Sequence, residues 1–113
     1  MTSSGIEFED YVYDIISRNF PARDGWGIEP QKELRVGLRV DYVVFRGSER
    51  VVIEAKDAQV LTLDHIEQVL EYRSEYKAQW AIIYIAADTE VSEFVREYAD
   101  SHDVKITRTR WRQ

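Results

Sequence analysis

Arg39-Val-Asp-Tyr-Val-Val-Phe45, the turn pair Gly47-Ser48 and Arg50-Val-Val-Ile-Glu-Ala-Lys56 decide the fold of this chain. Two β-branched runs around a Gly-Ser turn make a β-hairpin. A turn centred between Gly47 and Ser48 pairs residues at equal steps from that centre, so Asp41 stands opposite Glu54. A two-residue and a four-residue loop give the same pairing; a bulge would shift it by one residue. Strand periodicity then puts Lys56 on the face of Glu54. Asp41, Glu54 and Lys56 converge at the end of the hairpin away from the turn.

Opposed carboxylates repel each other across a ladder, and these two interrupt strands otherwise made of Val, Ile, Tyr and Phe. A bound Mg²⁺ or Mn²⁺ gives such a pair a reason, because hard cations take oxygen ligands and retain water. A lysine beside the ion can orient an attacking water and stabilise charge on a phosphate. The competing reading makes Glu54 and Lys56 solvent-facing residues of an edge hairpin with Asp41 paired by chance. Spacing alone does not separate the two.

Outward from the hairpin, the chain alternates helices and strands. Phe8, Val12, Ile15 and Ile16 fall at helical spacing, which predicts a first helix over residues 6–19, capped by Ser3 or Ser4 and closed before Pro21. Pro21 to Pro30 reads as a loop, with a weak strand over residues 29–34. A second helix spans residues 62–77, with Ile66, Val69, Leu70 and Tyr76 near one face. Thr62 or Asp64 can cap it, and Asp64 with Glu67 has capping-box spacing. The apolar run Trp80 to Ala87 predicts a strand buried on both faces. It is far too short to cross a bilayer. A third helix begins at Thr89 with Val91, Phe94, Val95 and Tyr98 inward, and residues 104–110 alternate like an edge strand. The order α-β-β-β-α-β-α-β predicts an α/β domain, a mixed central sheet with helices on its faces.

A chain of 113 residues, 44% hydrophobic and 32% charged, suits one compact domain over residues 1–113. The absence of cysteine excludes disulfides and thiolate zinc sites. No basic stretch followed by an apolar run opens the chain, so an intracellular, cytoplasmic location with no membrane association is expected. The net charge of −6 opposes simple nucleic-acid binding. Yet the stretch Lys105 to Gln113 carries +4, leaving −10 for the remainder. Lys32, Arg35 and Arg39 form a second basic cluster.

Val40-Asp41-Tyr-Val-Val followed by Val52-Ile-Glu54-Ala-Lys56 resembles the PD-(D/E)XK nuclease signature, in which an aspartate leads one strand and (D/E)-x-K closes the next. Val40 stands where that motif has its proline. Gly5-Ile-Glu-Phe8-Glu9 resembles the first-helix motif of Mrr-type endonucleases and archaeal Holliday-junction resolvases. Gln68-Val-Leu-Glu-Tyr72 resembles the glutamine-bearing helix of the same branch. The resemblance runs from Gly5 to about Val104 and implies a restriction-endonuclease-like αβββαβ core. It implies that Asp41, Glu54 and the Ala55 backbone carbonyl bind Mg²⁺ or Mn²⁺, with Glu9 near the metal directly or through water. It implies that Lys56 is the catalytic lysine and that Gln68 contacts the lysine, the water or a phosphate. The implied activity is endonucleolytic hydrolysis of DNA phosphodiester bonds, selective for branched DNA such as Holliday junctions, by a homodimer, since one domain has one site.

Lys32, Arg35, Arg39, Arg108 and Arg110 are the candidate DNA contacts. Trp111 would stack on a base or lie in a solvated tail. His65 and His102 read as surface residues, and Glu7 as helix-terminus charge compensation. The alternative function is a nuclease-fold DNA-binding or assembly module, inactive alone or dependent on a partner.

Overall fold

The computed structural model describes residues 4–113, with side chains from residue 6 onward. Cap candidate Ser3 and the side chain of Ser4 therefore lie outside the described residues; Ser4 is already helical. The elements are α1 (Ser4–Asn19), β1 (Gly27–Arg35), β2 (Leu38–Arg46), β3 (Glu49–Lys56), α2 (Leu63–Tyr76), β4 (Trp80–Ile85), α3 (Glu93–Ser101) and β5 (Val104–Arg108). Their order is the one expected from the sequence. A short 3₁₀ turn at Ala22–Asp24 occupies part of the Pro21–Pro30 stretch. That stretch is shorter as a loop than its glycines and prolines suggest, because β1 already begins at Gly27 and takes in Pro30. Proline is tolerated there because β1 is an edge strand.

The sheet is five-stranded, ordered β1-β2-β3-β4-β5. The first two pairings are antiparallel and the last two parallel. Each parallel step requires a crossover, which α2 and α3 provide. α1 covers one face, where Phe8, Val12 and Ile16 meet Tyr42, Val44, Val51, Ile53 and Tyr84. α2 and α3 cover the other, where Ile66, Val69, Tyr72, Val95 and Ala99 meet Val40, Val43, Val52, Ile83 and Ile85. β4 contributes to both cores, as an uninterrupted apolar run should. The result is a mixed sheet flanked by helices, an α/β architecture. No described helix is long and apolar enough to cross a membrane.

The α2 start keeps one of its two expected caps, and the α3 start differs from expectation. α2 is capped by Thr62, whose backbone N–H donates to His65 Nδ1 at 3.0 Å, so His65 and not the Asp64–Glu67 pair completes the cap. α3 starts at Glu93, with the Ser92 hydroxyl accepting from the Val95 N–H at 3.1 Å. The four residues before it are held otherwise: the Thr89 hydroxyl donates to the Ala58 carbonyl at 2.6 Å, and Val60 bridges Glu90. Phe94 is 66% exposed, not inward; Val95 and Ala99 form the buried stripe.

Candidate active site

The hairpin register is the one its turn dictates. Arg46 pairs with Glu49, Val43 with Val52 and Tyr42 with Ile53. The ladder stops one pair short of Asp41 and Glu54. There the side chains take over the backbone donors. Asp41 Oδ2 accepts from the Ala55 N–H at 2.9 Å, and Glu54 Oε1 accepts from the Asp41 N–H at 3.1 Å. Lys56 Nζ lies 3.4 Å from Glu54 Oε2. The three residues meet at the site end of the central strands, and the edge-hairpin reading falls away because β2 and β3 are interior.

The strand slips at this point. Leu38 and Val40 face the α2 layer, whereas Tyr42 and Val44 face the α1 layer. Across the β1–β2 ladder, Pro30 pairs with Tyr42 and Lys32 with Val40, while the intervening Gln31 and Asp41 are unpaired. Gln31 has φ 51°, a left-handed conformation costly for a residue with a Cβ. Its amide donates to Glu9 Oε1 at 3.0 Å and also holds the Asp41 carboxyl down. Gln31 thus links helix and strand across the site. Sequence reading missed it, since nothing in Pro30-Gln31-Lys32 marks a left-handed residue.

Burial sets the electrostatics. Glu54 is 5% exposed, and desolvation with the Asp41 charge pushes its carboxyl up to about 8 despite Lys56. Asp41 is raised by desolvation, against the Ala55 N–H and Lys56. Glu9 is raised by desolvation and by Asp41, and its carbonyl accepts from the Tyr42 hydroxyl at 2.9 Å. Tyr72 of α2 is raised by burial and by the Glu54 and Asp41 charges. Burial and the Lys56 charge lower His65. His65 is therefore a half-buried neighbour of the site as well as a helix cap.

All three carboxyls are shifted toward their protonated forms, because burial disfavours the charged form and the site holds too little positive charge to offset it. A hard divalent cation fits that deficit, with Asp41, Glu54 and the Ala55 carbonyl as the available oxygens. Among the described residues, no three side chains of His, Cys, Asp and Glu come together to hold an ion. Two carboxylates and a carbonyl would leave the other positions around an ion to water, a donor set that suits Mg²⁺. Glu7 is exposed. Gln68 is exposed on α2, one turn from His65, and makes no side-chain hydrogen bond to the described residues.

The basic candidates divide. Lys32 lies 3.6 Å from Glu29, and Arg35 pairs with Glu71 at 2.6 Å and Glu75 at 3.5 Å. Arg39 and Arg110 are exposed and make no ion pair with described residues. Arg108, expected as a phosphate contact, turns Nη1 onto the carbonyls of Ala86, Ala87 and Thr89 at 3.2, 3.0 and 2.7 Å. It ties the end of β4 to β5. Trp111 is neither a solvated tail nor a free stacking platform: its ring packs 5.8 Å from Phe8 and 5.1 Å from Tyr11. Arg112 anchors the segment to Asp57 at 2.5 Å and Asp88 at 3.1 Å.

No family model matches the sequence, and no curated protein matches it. Solved structures share the fold. A repair endonuclease from Pyrococcus abyssi superposes with a TM-score of 0.64 at 17% identity, over 89% of this chain and 46% of that one. Pyrococcus furiosus SfsA, solved in complex with Ca²⁺, gives 0.60 at 13% identity, over 91% of this chain and 56% of that one. The chain spans about half the length of each. Likeness at these identities establishes the fold, a restriction-endonuclease-like α/β sheet. The Archaeoglobus fulgidus Holliday junction resolvase Hjc gives 0.46 at 19% identity, over 80% of this chain and 67% of that one, too low to carry an argument.

Proposed function

We propose that this chain is a metal-dependent DNA endonuclease of the PD-(D/E)XK type that hydrolyses phosphodiester bonds and selects branched DNA, such as a Holliday junction, as a homodimer. The observation that carries the reading is the buried pair Asp41 and Glu54 beside Lys56, at the site end of two central strands. A fold shared with a repair endonuclease supports it.

In this reading Asp41, Glu54 and the Ala55 carbonyl hold Mg²⁺ or Mn²⁺. When bound, the ion supplies positive charge that polarises the phosphoryl oxygen. Lys56 Nζ, held near Glu54, orients the attacking water and donates to a phosphate oxygen as its charge grows. Glu9, fixed by Gln31, faces the site from α1 and orders water there. Gln68 reaches substrate from α2, and Arg39, unpaired by any described carboxylate, meets a flanking phosphate. Lys32 and Arg35 exchange their carboxylate partners for phosphates when DNA arrives.

The alternative, a nuclease-fold binding or assembly module, is favoured by one observation: among the described residues no three-carboxylate ion site exists. One experiment separates the two. The protein is incubated with Mg²⁺ or Mn²⁺ and labelled single-stranded, duplex, flap, forked and four-way-junction DNA, beside Lys56→Ala and Glu54→Ala. The expected outcome is cleavage, fastest on a branched substrate, reduced about 10²–10³-fold by Lys56→Ala. Absence of both cleavage and metal binding in folded protein favours the module.

A further inference from the structure

A groove lies between α1 and β5, on the α1 face, with a volume of about 330 Å³. Tyr11, Arg18, Tyr84, Thr107, Arg108 and Arg110 are among its walls. The lining holds three arginines and no carboxylate, in a chain of net charge −6. One nitrogen of Arg108 is engaged by carbonyls. Arg18 and Arg110 are exposed, and neither side chain makes an ion pair or hydrogen bond with a described residue.

The groove opens from the same end of the sheet as the candidate site. Lys56 stands in register with Ile85, and Ile85 with Arg108. Two interstrand steps of roughly 4.8 Å put the Lys56 and Arg108 backbones about 10 Å apart. That is about three nucleotide steps at roughly 3.4 Å of rise per strand. Arg110 follows just past the end of β5. Trp111 packs on Tyr11, so Arg110 marks the Tyr11 end of the groove and Arg18 the other. Tyr11 and Arg18 are seven residues apart on α1, or about 10 Å at 1.5 Å per residue. The backbones of the two arginines therefore stand toward opposite ends of the groove. Anchors about 10 Å apart, roughly three nucleotide steps, match phosphates spaced along one chain, and arginine is a common phosphate contact.

We propose that the α1–β5 groove is a backbone-binding track for one nucleic-acid strand, with Arg18 and Arg110 each holding a phosphate of the segment that leaves the Lys56 end of the sheet. The proposal rests on the nuclease reading for the strand's destination, and not for its binding. The groove explains how an acidic domain can grip DNA.

The test measures binding of labelled single-stranded and branched DNA in chelator, across a salt series, for the parent chain, Arg18→Ala/Arg110→Ala and the control Arg23→Ala/Arg96→Ala. The control removes the same charge from exposed positions outside the groove. The groove variant should bind at least tenfold more weakly, with the slope of log K against log salt shallower by about 1.5. The control should bind close to the parent. Unchanged binding in the groove variant, or an equal loss in the control, overturns the track. Inorganic phosphate at matched ionic strength should not displace the strand; displacement assigns the groove to a free anion and overturns it too. Melting curves establish folding, with Arg18→Gln/Arg110→Gln as the milder pair. A parent that cuts DNA while the groove variant binds as it does rejects the track alone. Arginine-dependent binding without any cleavage in Mg²⁺ or Mn²⁺ supports the track and rejects the nuclease.

Discussion

The β2–β3 hairpin has two ends built on opposite principles. At the turn end the ladder runs through to Arg46 and Glu49, Gly47 supplies φ 59°, and the flanking charges pair in solvent. Every local choice there agrees with the fold. At the site end the ladder stops, β1 and β2 lose a pair, a glutamine takes a left-handed backbone, and two carboxylates are buried together. Each of these costs stability locally. Their concentration around three residues marks the candidate site, and the rest of the sheet carries the cost.

The largest expected effect comes from the buried pair. Glu54 is pushed up to about 8 from an ordinary value of 4.5. A carboxyl raised on folding contributes its stability in full below about pH 4.5 and loses it as pH climbs through about 8. In chelator, the melting temperature of the parent should fall across that window. Glu54→Gln, which has no proton to lose, should melt on a flatter profile and exceed the parent at pH 8. Mg²⁺ should reverse the order. An ion that takes the place of the proton should stabilise the parent increasingly with pH, by about 2.7 kcal/mol at a hundredfold excess over Kd. Glu54→Gln should gain little. Equal pH profiles for both proteins would remove the site end's special status.

The same contrast explains what the sequence could tell. The turn fixes the register, so Asp41, Glu54 and Lys56 were legible by counting from Gly47-Ser48. Helix and strand order followed from apolar periods, which answer to burial and are shared by any α/β sheet. Gln31 was not legible, because a left-handed residue inside a strand is imposed by neighbours and leaves no mark on its own type. Arg108 read as a phosphate ligand because composition shows charge and not direction; the chain end of β4 offers three carbonyls that capture it. Trp111 joined the α1 core for a similar reason, since only the fold brings Phe8 and Tyr11 beside it. Phe94 was placed inward by a period begun at Thr89, four residues before α3 starts.

Gln31 gives an intermediate effect that separates backbone from side chain. Gln31→Ala keeps the left-handed cost and loses the amide between Glu9 and Asp41. Gln31→Gly loses the same amide but relieves the backbone. The glycine variant should be the more stable of the two by about 1 kcal/mol in denaturant titration. Both should bind Mg²⁺ more weakly than the parent by calorimetry, because Glu9 and Asp41 lose their common donor. Parent-like Mg²⁺ affinity in both variants would make Gln31 a feature of the strand slip alone.

The turn end supplies the smallest effect and the control for the others. Arg46 lies 2.9 Å from Glu49, with about two-fifths of each side chain exposed, and its guanidinium stacks 4.4 Å from the Trp26 ring. Glu49→Ala removes only a solvent-screened ion pair and should cost less than about 0.5 kcal/mol. Arg46→Ala also uncovers Trp26 and should cost about 1 kcal/mol. Neither should alter the pH profile of stability, Mg²⁺ binding or any cleavage, since both sit at the far end of the hairpin from Lys56. A change in metal affinity from either would mean that strain travels the length of the hairpin, and the two ends would then have to be treated as one coupled device.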